Sequence, residues 1–193
     1  MSDVQDFMGQ LPAASSVCNL TAVRIDKNAA TGGVWTEVLQ EGNTKIEFKV
    51  ASSSQNKAYG KAMAEYVDKL QGKKSGKFKA SDIDQDAFNR KRAGWAAEYI
   101  VKGWRTFIPE LDANGSVVMV DSGDPDVGMV PKGNYFPVIS DGTEWLRFNS
   151  GAVENVLKAN TELLSTVMNF ADDNSNFYSV NVEESADKSS ITA

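Results

Sequence analysis

The chain has 193 residues, 41% of them apolar and 24% charged, with a net charge of −6 and no histidine. That length can bury a core without disulfides, and the composition is that of a folded rather than a disordered protein. A lone Cys18 excludes an intramolecular disulfide, the missing histidine removes the usual zinc sites and the Ser-His and Cys-His nucleophile pairs, and the acidic balance argues against nucleic acid as the main partner.

No apolar run reaches the length of a bilayer span, and the first residues lack the basic start and apolar stretch of a signal peptide, so the expectation is a cytoplasmic protein with no membrane partner. Without a secretory signal, the sequon-like Asn19-Leu20-Thr21 is a chance match. Residues 1–18 form an arm in which Phe7, Met8 and Leu11 lie close enough to dock as a short helical turn. A strand follows over 19–25, carrying Thr21, Val23 and Ile25 on one side, and the polar, glycine-rich segment Asp26 to Gly33 reads as a loop.

Val34–Leu39 and Thr44–Val50 make a hairpin around Glu41-Gly42-Asn43. Ile46, Phe48 and Val50 alternate with Lys45, Glu47 and Lys49, as a sheet covered on one side requires, and Trp35 or its neighbours are expected to pack under a helix. The serines at 52, 53 and 54 offer caps for a helix over 54–71, whose stripe runs through Tyr59, Met63, Tyr66, Val67 and Leu70. Lys73, Lys74, Lys77 and Lys79 then form a basic linker. It is no phosphate loop, because the glycine spacing is short by one and no Ser or Thr follows Lys77.

The segment 84–107 reads as a second long helix, with Phe88, Trp95, Tyr99, Ile100, Trp104 and Phe107 at steps of three and four. Asp112-Ala-Asn-Gly is a turn, and Ser116–Val120 a short strand. An irregular excursion occupies 121–142; its acidic residues lack the glycine and glutamate spacing of a calcium loop. Glu144–Phe148 is a short strand anchored by Trp145, two helices broken at Asn160 follow, and residues 179–193 form a flexible acidic tail. The whole reads as one α+β domain over 19–178, helix-rich, with a small N-terminal antiparallel hairpin packed on helices.

Three stretches occur in a telling order: Gly33-Val34-Trp35 leading through the hairpin to Asn56-Lys57-Ala58-Tyr59; AAEYIVKGW over 96–104 followed by LDANG at 111–115; and FADDNSNF over 170–177. In this order they resemble the tail assembly chaperone family of long-tailed bacteriophages, across roughly residues 30 to 178. Two features depart from that pattern, the 121–142 excursion and the arm before Gly32. The resemblance implies a non-enzymatic viral protein of the host cytoplasm that coats the tape-measure protein during virion assembly and recruits tail tube subunits. It also implies a short form and a longer, frameshifted form, this chain being the short one.

Trp35, Tyr59, Trp104, Trp145 and Phe177 are the candidate partner contacts, although each tryptophan reads first as a core residue. No catalytic, cofactor or metal residue is expected, and self-association stays open. A structural subunit of the virion tail or connector is the alternative function. An enzyme built on a carboxylate pair such as Glu98 with Asp112 is the remaining one.

Overall fold

The computed structural model describes residues 23–72, 83–140 and 142–180. The arm at 1–18, the first residues of the 19–25 strand, the lysine linker and the tail from 181 onward lie outside the described residues.

The charged hairpin forms as its alternation demands. Strand β1 (Val23–Ile25) and helix α1 (Lys27–Gly32) precede β2 (Val34–Glu41) and β3 (Thr44–Val50). Gly42, at the first of the two central turn positions, has φ of 57°, the left-handed start that suits a tight hairpin between twisted strands. Phe48 and Val50 point into the core while Glu47 and Lys49 point out. Helix α1 replaces the expected loop because Asp26 caps it, its carboxylate accepting from the N–H groups of Asn28 and Ala29. The next helix, α2 (Lys57–Gly72), is capped by Asn56, whose side chain accepts from Tyr59 N–H at 3.1 Å, and not by the upstream serines.

The largest departure from expectation falls in 84–107. Helix α3 covers only Gln85–Trp95, a π-helical turn spans Ala96–Ile100, and the chain then runs directly into strand β4 (Val101–Pro109). A β-bulge explains the false helical period: Lys49 pairs with Gly103 but Val50 pairs with Val101, so Lys102 is the extra residue. Val101 and Trp104 therefore both face the core although three positions separate them, the same spacing a helix face would give.

Strand β4 lies inside a four-stranded antiparallel sheet of order β2-β3-β4-β7, where β7 is Gly133–Phe136. Gly133 is dictated by close approach, since a Cβ there would meet Ile108 O at 2.4 Å and the Phe107 ring at 2.6 Å. Strands β5 (Met119–Asp121) and β6 (Met129–Pro131) form a separate ribbon, and β8 (Val138–Ser140) pairs with β9 (Trp145–Arg147). About half of the 121–142 excursion is thus strand. With 44% helix and 31% strand among described residues, the protein is a mixed fold, not a helix-rich domain with one small hairpin.

Helices α4 (Ser150–Ala159) and α5 (Thr161–Asp172) meet at Asn160, as expected; its N–H closes α4 on Val156 O and its side chain caps α5 through Leu163 N–H. Leu164, Val167, Met168 and Ala171 give α5 a buried stripe at helical spacing. A 3₁₀ turn (Asn174–Phe177) leads to β10 (Tyr178–Val180), which pairs with β1 and brings the two ends of the described chain together.

The helices cover one face of the sheet. Phe48, Val50, Val101 and Trp104 from the strands meet Val153, Leu157, Val167 and Met168 from α4 and α5 in a single core. Trp104 is 1% exposed and lies 5.9 Å from Phe48 and 5.7 Å from Phe148, ring centroid to centroid. Removing its ring in Trp104→Ala is expected to cost about 3–5 kcal/mol. Chemical denaturation measures this, and an unchanged midpoint would remove Trp104 from the core.

Candidate partner-binding surfaces

The sheet face away from the helices carries one residue from each strand into a single cluster. Arg105 on β4 is placed 4.1 Å from the Trp35 ring of β2 and 3.8 Å from the Tyr135 ring of β7, a cation held between two aromatic faces. Its Nε and Nη2 each reach Oε2 of Glu47 on β3 at 2.6 Å, and Tyr135 donates its hydroxyl to the other oxygen, Oε1, at 2.7 Å. Trp35 lies across the sheet toward Arg105 over Gly103, which stands in the same cross-strand row. Phe107 extends the cluster by packing on Tyr135 at 5.3 Å. This network joins four strands on a face that none of the described helices covers.

A second polar network ties the end of β3 to α5. Ser53 N–H donates to Ala171 O at 3.0 Å, its hydroxyl is in contact with Asp172, and Ser54 donates to Asn174 at 2.6 Å. Arg92 on α3 lies 3.6 Å from the other oxygen of Asp172. Tyr59 packs beside this network, and burial pushes its phenol above the usual tyrosine value while Arg92 opposes that shift. The serine contacts join segments more than a hundred residues apart in sequence, and Arg92 adds a third segment to the same cluster.

The sequence candidates divide by burial. Tyr59, Trp104 and Phe177 are 7%, 1% and 1% exposed and belong to the core. Trp35, expected under a helix, is instead on the open sheet face at 37% exposure. Trp145, expected as an anchor, stands out at 57% on β9. Glu98 and Asp112 are not brought together, since the whole of β4 separates them, about 30 Å of extended chain. A glycosidase pair would need roughly 5–10 Å.

Sequence reasoning missed the most exposed apolar region. Leu111, Met119, Val127 and Met129 are 57%, 45%, 58% and 58% exposed, all on or beside the β5–β6 ribbon. Phe136 and Phe148 are also exposed, both at the open end of the β8–β9 hairpin where Val138 pairs with Arg147. Beside that hairpin an open groove of about 620 Å³ is lined by Leu146, Ala152, Val156 and Ala159. Another, about 530 Å³, runs between α3 and α4 with the Glu154–Lys158 ion pair on its wall. Among the described residues no cluster of three His, Cys, Asp or Glu side chains is placed to hold a metal, and no helix is long and apolar enough to cross a membrane.

Comparison with known protein families, with curated proteins and with solved structures finds no match to this chain.

The Tyr135–Glu47 hydrogen bond exists only while the phenol keeps its proton, and burial together with Glu47 raises the Tyr135 pKa above the usual value near 10. A folded pKa above the unfolded one means that the contribution is complete below pH 10 and is lost as pH rises through the raised value. Tyr135→Phe should therefore be less stable than wild type at pH 7 to 9 by about 0.5–1 kcal/mol, allowing for solvent screening of a half-exposed residue, and the gap should close above pH 10. Denaturation midpoints of both proteins across that range check it; a gap independent of pH would contradict it.

Proposed function

We propose that this protein is a phage tail assembly chaperone that binds the tape-measure protein and helps recruit tail tube subunits in the host cytoplasm. The observation that carries the reading is the concentration of exposed apolar side chains between Leu111 and Phe148, on a body whose core is otherwise closed. Isolated exposed side chains are ordinary on protein surfaces, but a run of Leu, Met, Val, Phe and Trp over one region is what a reversible protein-binding surface requires. The resemblance of the 33–59, 96–115 and 170–177 segments supplies the particular role. The exposed region overlaps the excursion that departs from the family pattern, which fits an adaptation to the partner.

Tape-measure proteins are long and helical, so their apolar stripes need cover before a tube encloses them, and helix-in-groove contacts are the economical way to provide it. Co-expression of the tape-measure protein of the same phage with this chain should raise its soluble fraction and yield a complex on size-exclusion chromatography. Equal insolubility with and without the chain, together with recovery of the chain from purified mature particles, would replace this reading with a structural subunit of the virion.

A further inference from the structure

The β5–β6 ribbon is the part of the fold least explained by the fold itself. Its two strands pack chiefly on each other and leave the sheet at its root, where Glu110 N–H donates to Lys132 O and Lys132 N–H to Val118 O. A two-stranded ribbon alone is marginal in water, and this one keeps apolar residues on both faces. The cross-strand pairs are Met119 with Pro131, Val120 with Val130, and Asp121 with Met129. Because side chains alternate, Met119, Asp121, Met129 and Pro131 share one face, and Val120 and Val130 the other.

The charge on this element is one-sided. Asp121, Asp124 and Asp126 are all exposed, and no lysine or arginine occurs between Leu111 and Pro131. Lys132 at the root is already paired with Glu110 at 2.8 Å. The carboxylates of Asp121 and Asp124 accept backbone N–H bonds from Gly123 and Asp126, which hold the tip in a fixed turn without neutralising it. Methionine's unbranched, polarisable side chain adapts to varied apolar shapes, so two exposed methionines next to an acidic ribbon tip select for an apolar surface flanked by cations.

We propose that the Met119–Met129 face of the ribbon is a docking site for an amphipathic helix with an apolar stripe bordered by Lys or Arg. Two such acidic ribbons would repel each other, which disfavours a second copy of this chain placed ribbon to ribbon. The proposal deepens the binding-protein reading above by naming the chemistry of the partner, and it does not need that partner to be a tape-measure protein.

The test uses the full chain and two synthetic amphipathic helices with the same leucine stripe, one with lysines on its polar face and one with glutamates. Titration calorimetry at low salt should show the lysine helix binding at least about tenfold more tightly than the glutamate helix, with the difference shrinking as salt is added. Met119→Ser with Met129→Ser should weaken the lysine helix about tenfold or more. Asp121→Asn, Asp124→Asn and Asp126→Asn together keep the turn acceptors and should erase the preference between the two helices. Circular dichroism and the unfolding midpoint verify that each variant folds; if the methionine variant does not, the asparagine variant decides. Equal binding of both helices, unchanged binding by the variants, or a concentration-dependent dimer in sedimentation that the methionine variant abolishes would each overturn the proposal. A failed tape-measure co-expression with an intact lysine-helix preference would reject only the phage assignment.

Discussion

Strand β4 is the constraint on which the rest of the structure depends. It arrives directly from a helix through the π-helical turn, sits between β3 and β7, and presents Trp104 to one side and Arg105 to the other. The ring of Trp104 fills the layer between sheet and helices, and the guanidinium of Arg105 closes the cluster on the open face. One strand thus serves two unlike interiors, an apolar core and a charged aromatic clasp. The first stabilises by removing area from water; the second contributes specificity of strand order more than free energy, because partly exposed ion pairs are worth little alone. Among the described residues the indole Nε1 of Trp104 is buried with no hydrogen-bond partner, an unmet polar cost on an otherwise favourable burial.

The open face of the sheet needs the clasp for a geometric reason. A sheet covered by helices on one side leaves the other to water, and wet faces usually carry alternating charges. Here Glu47 is almost enclosed by its partners, with 13% of its side chain accessible, so its charge is matched by Arg105 and shared with Tyr135. Lys45 and Glu37 add a further pair at 3.1 Å across β2 and β3. Trp35 and Tyr135 leave part of their rings open on this face, and most of the remaining apolar exposure lies on the ribbon and the β8–β9 side.

Elements with clean periodicity were legible in the sequence, and elements with interrupted periodicity were not. The β2–β3 hairpin, α2, α4, α5 and the break at Asn160 follow from alternation, helical stripes and capping residues. The helix read over 84–107 failed because the bulge at Lys102 converts a period of two into an apparent step of three, and because Phe88, Trp95 and Tyr99 prolong the pattern from the helical side. Helix α1 is six residues long, too short for a stripe to register. The strands of the excursion are three or four residues each, separated by Asp, Gly and Pro, so turn chemistry masked them. Of the site, Trp35 and Trp145 were named as candidate contacts but read first as core residues, because nothing in the sequence marks which face of a short strand is open, and Met119 and Met129 carried no signal until both strands of the ribbon were known to be unburied.

Core and clasp both require residues 101–109 to be a central strand and not the end of a helix. Nuclear Overhauser contacts measured on isotope-labelled protein decide this directly. The structure predicts cross-strand contacts from Ile46, Glu47 and Phe48 to Thr106, Arg105 and Trp104, and from Phe136 and Tyr135 to Thr106 and Phe107. Strong sequential amide contacts continuing from Gln85 through Phe107, with none to β3 or β7, would contradict it and restore a single long helix.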